Sequence, residues 1–277
     1  MNEVVLVQSD KYIKNAVSIV QYTYFNKKLI TIIGEYHTTP FSCQDKAIEI
    51  GEYAHAISTN DWKSRVFLEY DKNRKYTDID SHSINSVCTA LKGHLNIEVI
   101  PFDFRPYFLT LSEHERLYSS KFLKIDRNDI PNLYIEPFYI NFELFQFNEQ
   151  NYPPVIYNFM LNEYIKGIDE NLKWVAANYL LAEISEIHRV LRDAWMAVAD
   201  FFLIRELLML NSFGEDLVII GKRHVDNIMN VFRHFTEIIV LLNFRERHTP
   251  SDSCLSFYKA IPVSLLVSDK FKFNLKF

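Results

Sequence analysis

The chain has 277 residues, of which 48% are hydrophobic, 15% aromatic and 23% charged, enough for one large globular domain or two small ones. A net charge of −5 and a pI near 6.0 argue against a protein built on nucleic-acid backbone contacts, and six glycines supply no glycine-rich phosphate loop. Three cysteines far apart, Cys43, Cys88 and Cys254, make neither a disulfide framework nor a thiolate zinc knuckle.

The start, Met1-Asn2-Glu3, carries an acid where a secretory leader is basic. The most apolar long segment, 194–210, is interrupted by Asp200, Arg205 and Glu206, so no stretch of about 18 uncharged residues offers a membrane span. The expectation is a cytoplasmic protein without a transmembrane segment. In chain order, Val4–Val7 reads as a short strand, and Asp10 as the cap of a helix from Lys11 to Thr23. Leu29–Ile33, rich in β-branched residues and closed by Gly34, reads as a buried strand. Ser42 and Asp45 resemble a capping box before a helix reaching Ile57. Val66–Leu68 is the next strand. A helix over 81–92 stops at Gly93, and Ile97–Phe102 is a further strand. From His37 to Glu69 is 32 residues and from Glu69 to Asp103 is 34, each the length of one βαβ unit.

That rhythm stops after Arg105. A helix is expected near 107–121, then an aromatic and proline-rich stretch over 130–154 that fits a hairpin or an irregular lid. Residues 169–211 are helical in pattern, with Leu181, Ile184, Ile187, Leu191, Ala194 and Val198 at spacings of three and four, and the helix is long enough to be broken once. Leu217–Ile220 resumes the strands, Val225–Leu242 reads as a helix, and Ile261–Val267 as a tail strand. The expected fold is α/β: a single domain over 1–277, with a mostly parallel central sheet flanked by helices. A large helical insertion or lid over 107–211 precedes the last core strand.

Four of these apolar runs end in acids, histidines or both. Leu29–Ile33 leads to Glu35 and His37, Val66–Leu68 to Glu69 and Asp71, Ile97–Phe102 to Asp103 and Arg105, and Leu217–Ile220 to His224. In parallel strands these groups gather along the carboxyl edge, where open α/β folds place their chemistry. Glu35 and His37 are two apart, so in extended backbone they face one side. An imidazole beside a carboxylate is a general base near neutral pH, and two histidines with a carboxylate also suit a divalent metal. Each group taken alone is as well explained as a helix cap or surface ion pair. Asp103 and Arg105 are expected to pair with each other, or Arg105 to hold an anionic substrate. Asp193 either belongs to a solvated helix face with Glu186, Arg189 and Arg192, or turns inward to orient His37 or His224.

The residues also resemble a family. Gly34-Glu35-Tyr36-His37 is similar to the GExH motif of the erythromycin-esterase/ChaN/TraB-like superfamily. Leu191-Arg192-Asp193-Ala194-Trp195-Met196-Ala197 resembles its helical RDxxMA motif, and Gly221-Lys222-Arg223-His224-Val225 its closing GxxH motif. The three occur in the family's order over about residues 27–230, and Glu69 stands where the family has a second acidic residue. The resemblance implies a parallel α/β sheet with a helical insertion and a site lined by Glu35, His37, Glu69 and His224. Its esterase members use the first histidine to activate water, while other relatives are metal-dependent peptidases, haem binders or toxin modules. The leading expectation is therefore a hydrolase of small-molecule or peptide esters or amides. A divalent metal on Glu35, His37 and His224 is one option and haem a lesser one. The alternative is a catalytically idle haem- or metal-binding, effector or interaction module on the same fold.

Overall fold

A computed structural model describes residues 4–14, 16–25, 27–35, 47–58, 64–70, 82–103, 105, 108–140, 147–210, 214–245 and 254–262. His37, Asp71, Cys43, the Ser42/Asp45 cap and residues 263–267 of the expected tail strand lie outside them. The chain forms two compact units, one from 1–101 with 212–277 and one from 102–211.

The first unit is an α/β unit. Its strands are β1 (Val4–Lys14), β2 (Ala16–Tyr24), β3 (Lys28–Glu35), β4 (Ala47–Ile48), β5 (Ser64–Leu68), β6 (Ile97–Pro101), β7 (Gly214–Gly221), β8 (Ile238–Arg245) and β9 (Cys254–Pro262). Six of them make one sheet in the order β6-β5-β7-β3-β2-β8, and β4-β1-β9 make a second of three strands. In the larger sheet β6, β5, β7 and β3 run parallel, and β2 is antiparallel to both its neighbours, β3 and β8, so β8 has the direction of the parallel strands. The parallel strands β3 and β7 are buried at every residue, as strands covered on both faces must be.

Helices α1 (Ile50–Ser58) and α2 (His82–Leu91) cover one face. There Tyr53, Ala54, Ile84 and Val87 pack with Ile33, Val66, Leu68, Leu217 and Ile219. Helix α2 ends at Gly93, whose φ of +87° is the left-handed conformation glycine adopts without strain. Helix α8 (Lys222–Phe232) lies on the other face. Tyr22 of β2 meets its Phe232 edge-on, ring centroids 4.9 Å apart. Gly34 is where that helix comes closest to β3. A β-carbon there would overlap the Ser18 hydroxyl and stand 3.0 Å from a Val225 methyl, with the Lys222 backbone next at 3.5 Å.

Two expected helices are corrected. Residues 11–14 and 16–23 are strand, because β1 runs to Lys14 and β2 begins at Ala16. Within β2, the β-branched residues Val17, Ile19 and Val20 are buried in a strand paired on both sides, with β3 and with β8. The helix expected over Val225–Leu242 ends at Phe232, and the β-branched run Ile238-Ile239-Val240 pairs with β2 as β8.

The second unit is helical among its described residues. Thr110 opens α3 (Leu111–Leu117) with a reciprocal capping box to Glu113. The stretch expected as a hairpin or lid is helical from Pro131 to Ile140. It starts with a π-helical turn (Pro131–Ile135) and continues as α4 (Glu136–Ile140). The next helix comprises α5 (Pro154–Phe159), a second π-helical turn (Met160–Ile165) and α6 (Lys166–Asn178). After a break, α7 (Ile184–Leu207) carries the core of this unit: Trp195, Ala199, Phe201 and Leu203 are all buried. One guanidinium holds the break together. Nη1 of Arg127 donates to the carbonyls of Tyr179, Leu180 and Ala182 at 3.3, 3.2 and 2.6 Å.

Candidate functional site

The parallel register decides what meets at the carboxyl edge. Glu35, the last residue of β3, stands opposite Gly221, the last residue of β7. Leu68 of β5 stands opposite Ile219, so Glu69 leaves its strand beside the same turn. Gly221 is the N-cap of α8 and has no capping side chain of its own. Glu69 supplies the acceptor from outside the helix. The Gly221 N–H donates to its Oε2 at 2.9 Å, and Nε2 of His224, in the first turn of α8, lies 3.0 Å from its Oε1. His224 is buried, at 3% exposed, and the side chain of Glu69 is only 10% exposed. A carboxylate is also favoured at a helix N-terminus by the aligned peptide dipoles.

An ionised carboxylate only accepts, so in this clasp Nε2 of His224 carries the proton and Nδ1 is the basic nitrogen of the ring. Glu35 is buried, at 1% exposed, and by alternation from Ile33 it belongs to the face covered by α1 and α2. The structure thus joins Glu69 to His224 directly and sets Glu35 beside Gly221 in register. His37, the fourth residue expected here, lies outside the described residues. Among those residues, no group of three or more His, Cys, Asp or Glu side chains is arranged to hold a metal ion. Of the three expected ligands, Glu35 and His224 are described and His37 is not.

The remaining expected residues belong to the second unit. Asp103 and Arg105 pair with each other: Nε and Nη2 of Arg105 donate to the two carboxylate oxygens at 2.8 and 3.0 Å, and the Arg105 N–H reaches Oδ1 at 3.2 Å. Arg105 also donates to the Tyr118 hydroxyl at 3.0 Å, with its guanidinium carbon 5.0 Å from that ring. Both charges are buried, and a fork-to-fork pair is the geometry that makes such burial tolerable. Asp193 lies 3.8 Å from Arg189, an i,i+4 pair on a partly exposed face of α7, which is the solvated-face arrangement.

One buried cluster has only a faint signal in the sequence. At the amino edge of the sheet, Asp216 receives Nε and Nη2 of Arg65 at 2.9 and 2.7 Å and also pairs with Lys28, which is 2% exposed. The signal is a lysine, an arginine and an aspartate, each at the start of an apolar run. Nearby, burial pushes the Tyr53 hydroxyl well above its ordinary pKa, and the charge of Glu215 adds to the shift. No helix among the described residues is long and apolar enough to cross a membrane. No protein-family model, no curated protein and no solved structure matches the chain.

Proposed function

We propose that the carboxyl edge of the α/β unit is a hydrolytic site, in which His224, oriented by Glu69, takes a proton from water attacking an ester or amide carbonyl. The observation that carries this is the Glu69–His224 clasp, with its second oxygen fixed by the Gly221 amide. That second bond stops the carboxylate from rotating away, so the imidazole keeps one tautomer and one orientation. Nδ1 takes the proton from water, the hydroxide adds to the carbonyl carbon, and the imidazolium returns the proton to the leaving oxygen or nitrogen. Glu69 stabilises the imidazolium between those steps. Glu35, next to Gly221 in register, and His37, two residues further on, are the other groups assigned to the pocket. The resemblance of the GExH, RDxxMA and GxxH segments to the erythromycin-esterase/ChaN/TraB-like superfamily supports that assignment and the choice of small-molecule or peptide esters and amides.

A second reading has its own observation. Both oxygens of Glu69 are engaged at the start of α8, which is also how a purely structural cap would look. A catalytically idle binding or effector module would keep the clasp for stability alone. A panel of ester and peptide substrates separates the two readings, run on wild type, His224→Ala, Glu69→Gln and His37→Ala, with metal content measured on the same preparations. A working general base predicts a loss of about 10²–10⁴-fold in kcat/KM for His224→Ala. Turnover undiminished in that variant overturns the role of His224. Absence of turnover on every substrate favours the idle module.

A further inference from the structure

Strand β5 ends in a tight turn. Its last residue, Leu68, accepts a hydrogen bond from the Tyr70 N–H at 2.8 Å, which closes a three-residue turn with Glu69 at its apex. Among the described residues Phe25 is the only non-glycine with a positive φ, so Glu69 takes the inverse form of this turn, the unstrained one common at strand ends. Side-chain alternation continues through the turn. Leu68 belongs to the core beneath α1 and α2, and Tyr70 packs against the same core. Glu69, between them, leaves on the opposite side. There the Gly221 N–H and Nε2 of His224 hold its two oxygens at 2.9 and 3.0 Å. The Tyr70 hydroxyl also has a hydrogen bond, with the Cys88 thiol of α2.

We infer that Tyr70 is a positioning residue for the Glu69–His224 pair: its backbone N–H closes the turn, and its ring, packed in the α1/α2 core, holds that turn where the Glu69 carboxylate meets His224. Glutamate is a rotamer-rich side chain, and holding both its oxygens on fixed donors costs conformational entropy. That cost is smaller when the backbone at its root is already fixed. Rotating the backbone between residues 69 and 70 would have to move both side chains, and the core holds one of them. The hydrogen bonds at the other end weaken steeply once out of line, so a turn released from the core would loosen the carboxylate first. The ring supplies most of the hold, and the bond to Cys88 adds a smaller part. The effect on turnover rests on the hydrolytic reading, whereas the effect on the clasp does not.

Proton exchange at the His224 ring reads the clasp without a substrate. It is followed by nuclear magnetic resonance on the full chain with nitrogen-15 histidine, the signal being assigned with His224→Gln. In wild type the Nε2 proton is expected to be protected from water. Tyr70→Ala should speed its exchange at least ~10-fold, and lower kcat/KM about 10-fold or more on any ester or amide that the wild type turns over. Tyr70→Phe keeps the ring and should stay within about threefold of wild type in both. Leu91→Ala cuts into the same core but leaves the turn and the ring in place, and should leave the exchange within about threefold as well. Circular dichroism checks that each variant is folded. A protected proton that Tyr70→Ala leaves unchanged overturns the inference. So does equal acceleration by Leu91→Ala, which would tie the clasp to core stability at large, or by Tyr70→Phe, which would take the role from the ring. No protected proton in wild type removes the clasp, and with it both this inference and the hydrolytic reading. A clasp loosened by Tyr70→Ala alone, in a protein that turns over no substrate, upholds the inference and sinks the hydrolytic reading.

Discussion

Glu69 sits outside the helix it caps, and that gives its substitutions a readable order. Glu69→Ala leaves the Gly221 amide and the buried His224 ring each short of a partner, so a loss of about 1–3 kcal/mol is expected in urea unfolding. Glu69→Gln keeps one oxygen acceptor and should cost less. Equal stability of Glu69→Ala and wild type would mean that the clasp does not form. Gly34 tests the same turn from beneath. Gly34→Ala drives a methyl toward Ser18 and Val225 and should cost about 1–3 kcal/mol, the usual penalty of overpacking. Ser18→Ala removes the atom in the way, so the double variant should recover part of the loss, a coupling expected of touching residues. Cys88 offers a chemical check on the α1/α2 face. Burial raises its thiol from 9.0 to about 11, against a smaller opposing effect of a hydrogen bond with Tyr70. The raised value means that the thiol stays protonated as pH climbs through the range where an exposed cysteine ionises. Folding therefore gains from this group below about pH 9, and the gain is lost as pH rises toward 11. Alkylation followed at the Cys88 peptide should be slow at about pH 8 in the folded protein and fast in urea.

At the scale of elements, Arg127 is the clearest single support. Its guanidinium satisfies three carbonyls where α6 ends and α7 begins. Arg127→Lys keeps the charge but not the fork, and should cost about 1–2 kcal/mol with a faster-exchanging 179–182 turn in hydrogen exchange. An unchanged exchange pattern would show that the break is held by packing instead. The elements legible in sequence are those whose burial writes a local pattern. β3, β5, β6 and β7 are short β-branched runs with Gly34 or acids at their ends, and Gly93 marks the end of α2. β2 reads as helix because a strand buried on both faces shows no alternation, and Val17, Ile19, Val20 and Tyr22 also fit helical spacing. β8 merges with α8 in the sequence because no proline or glycine separates them; the break is the short turn over 233–237. The π-helical turns at 131–135 and 160–165 have no sequence signature beyond a helix. The site is partly legible for a simple reason: residues just past parallel strands collect at one edge whatever the loops do. The partner of His224 is not legible, since Glu69 is 155 positions away and only the register of β5 on β7 brings it there.

The order of the strands sets how the whole molecule must assemble. β7 lies between β5 and β3, yet it follows the entire helical unit in sequence. Before β7 arrives, β6-β5 and β3-β2 are two separate ribbons, and a pair of strands alone is marginal in water. The helical unit, by contrast, is contiguous over 102–211 and holds its own buried set around Trp195, Phe138 and Phe122. The buried charges point the same way. Lys28 and Arg65 both pair with Asp216 on β7, and a chain without that strand takes this partner from both cations, at a cost of several kcal/mol. A chain ending at residue 211 should therefore keep helical circular dichroism and lose the sheet, while fragment 102–211 alone should melt cooperatively. Asp216→Asn in the full chain should destabilise by about 3–5 kcal/mol, and Asp216→Asn with Lys28→Met by less, because the second change removes a buried cation that the first deprives of this carboxylate. If the double variant is no more stable than the single one, Lys28 does not depend on Asp216 and the strand order is not what holds the two ribbons together.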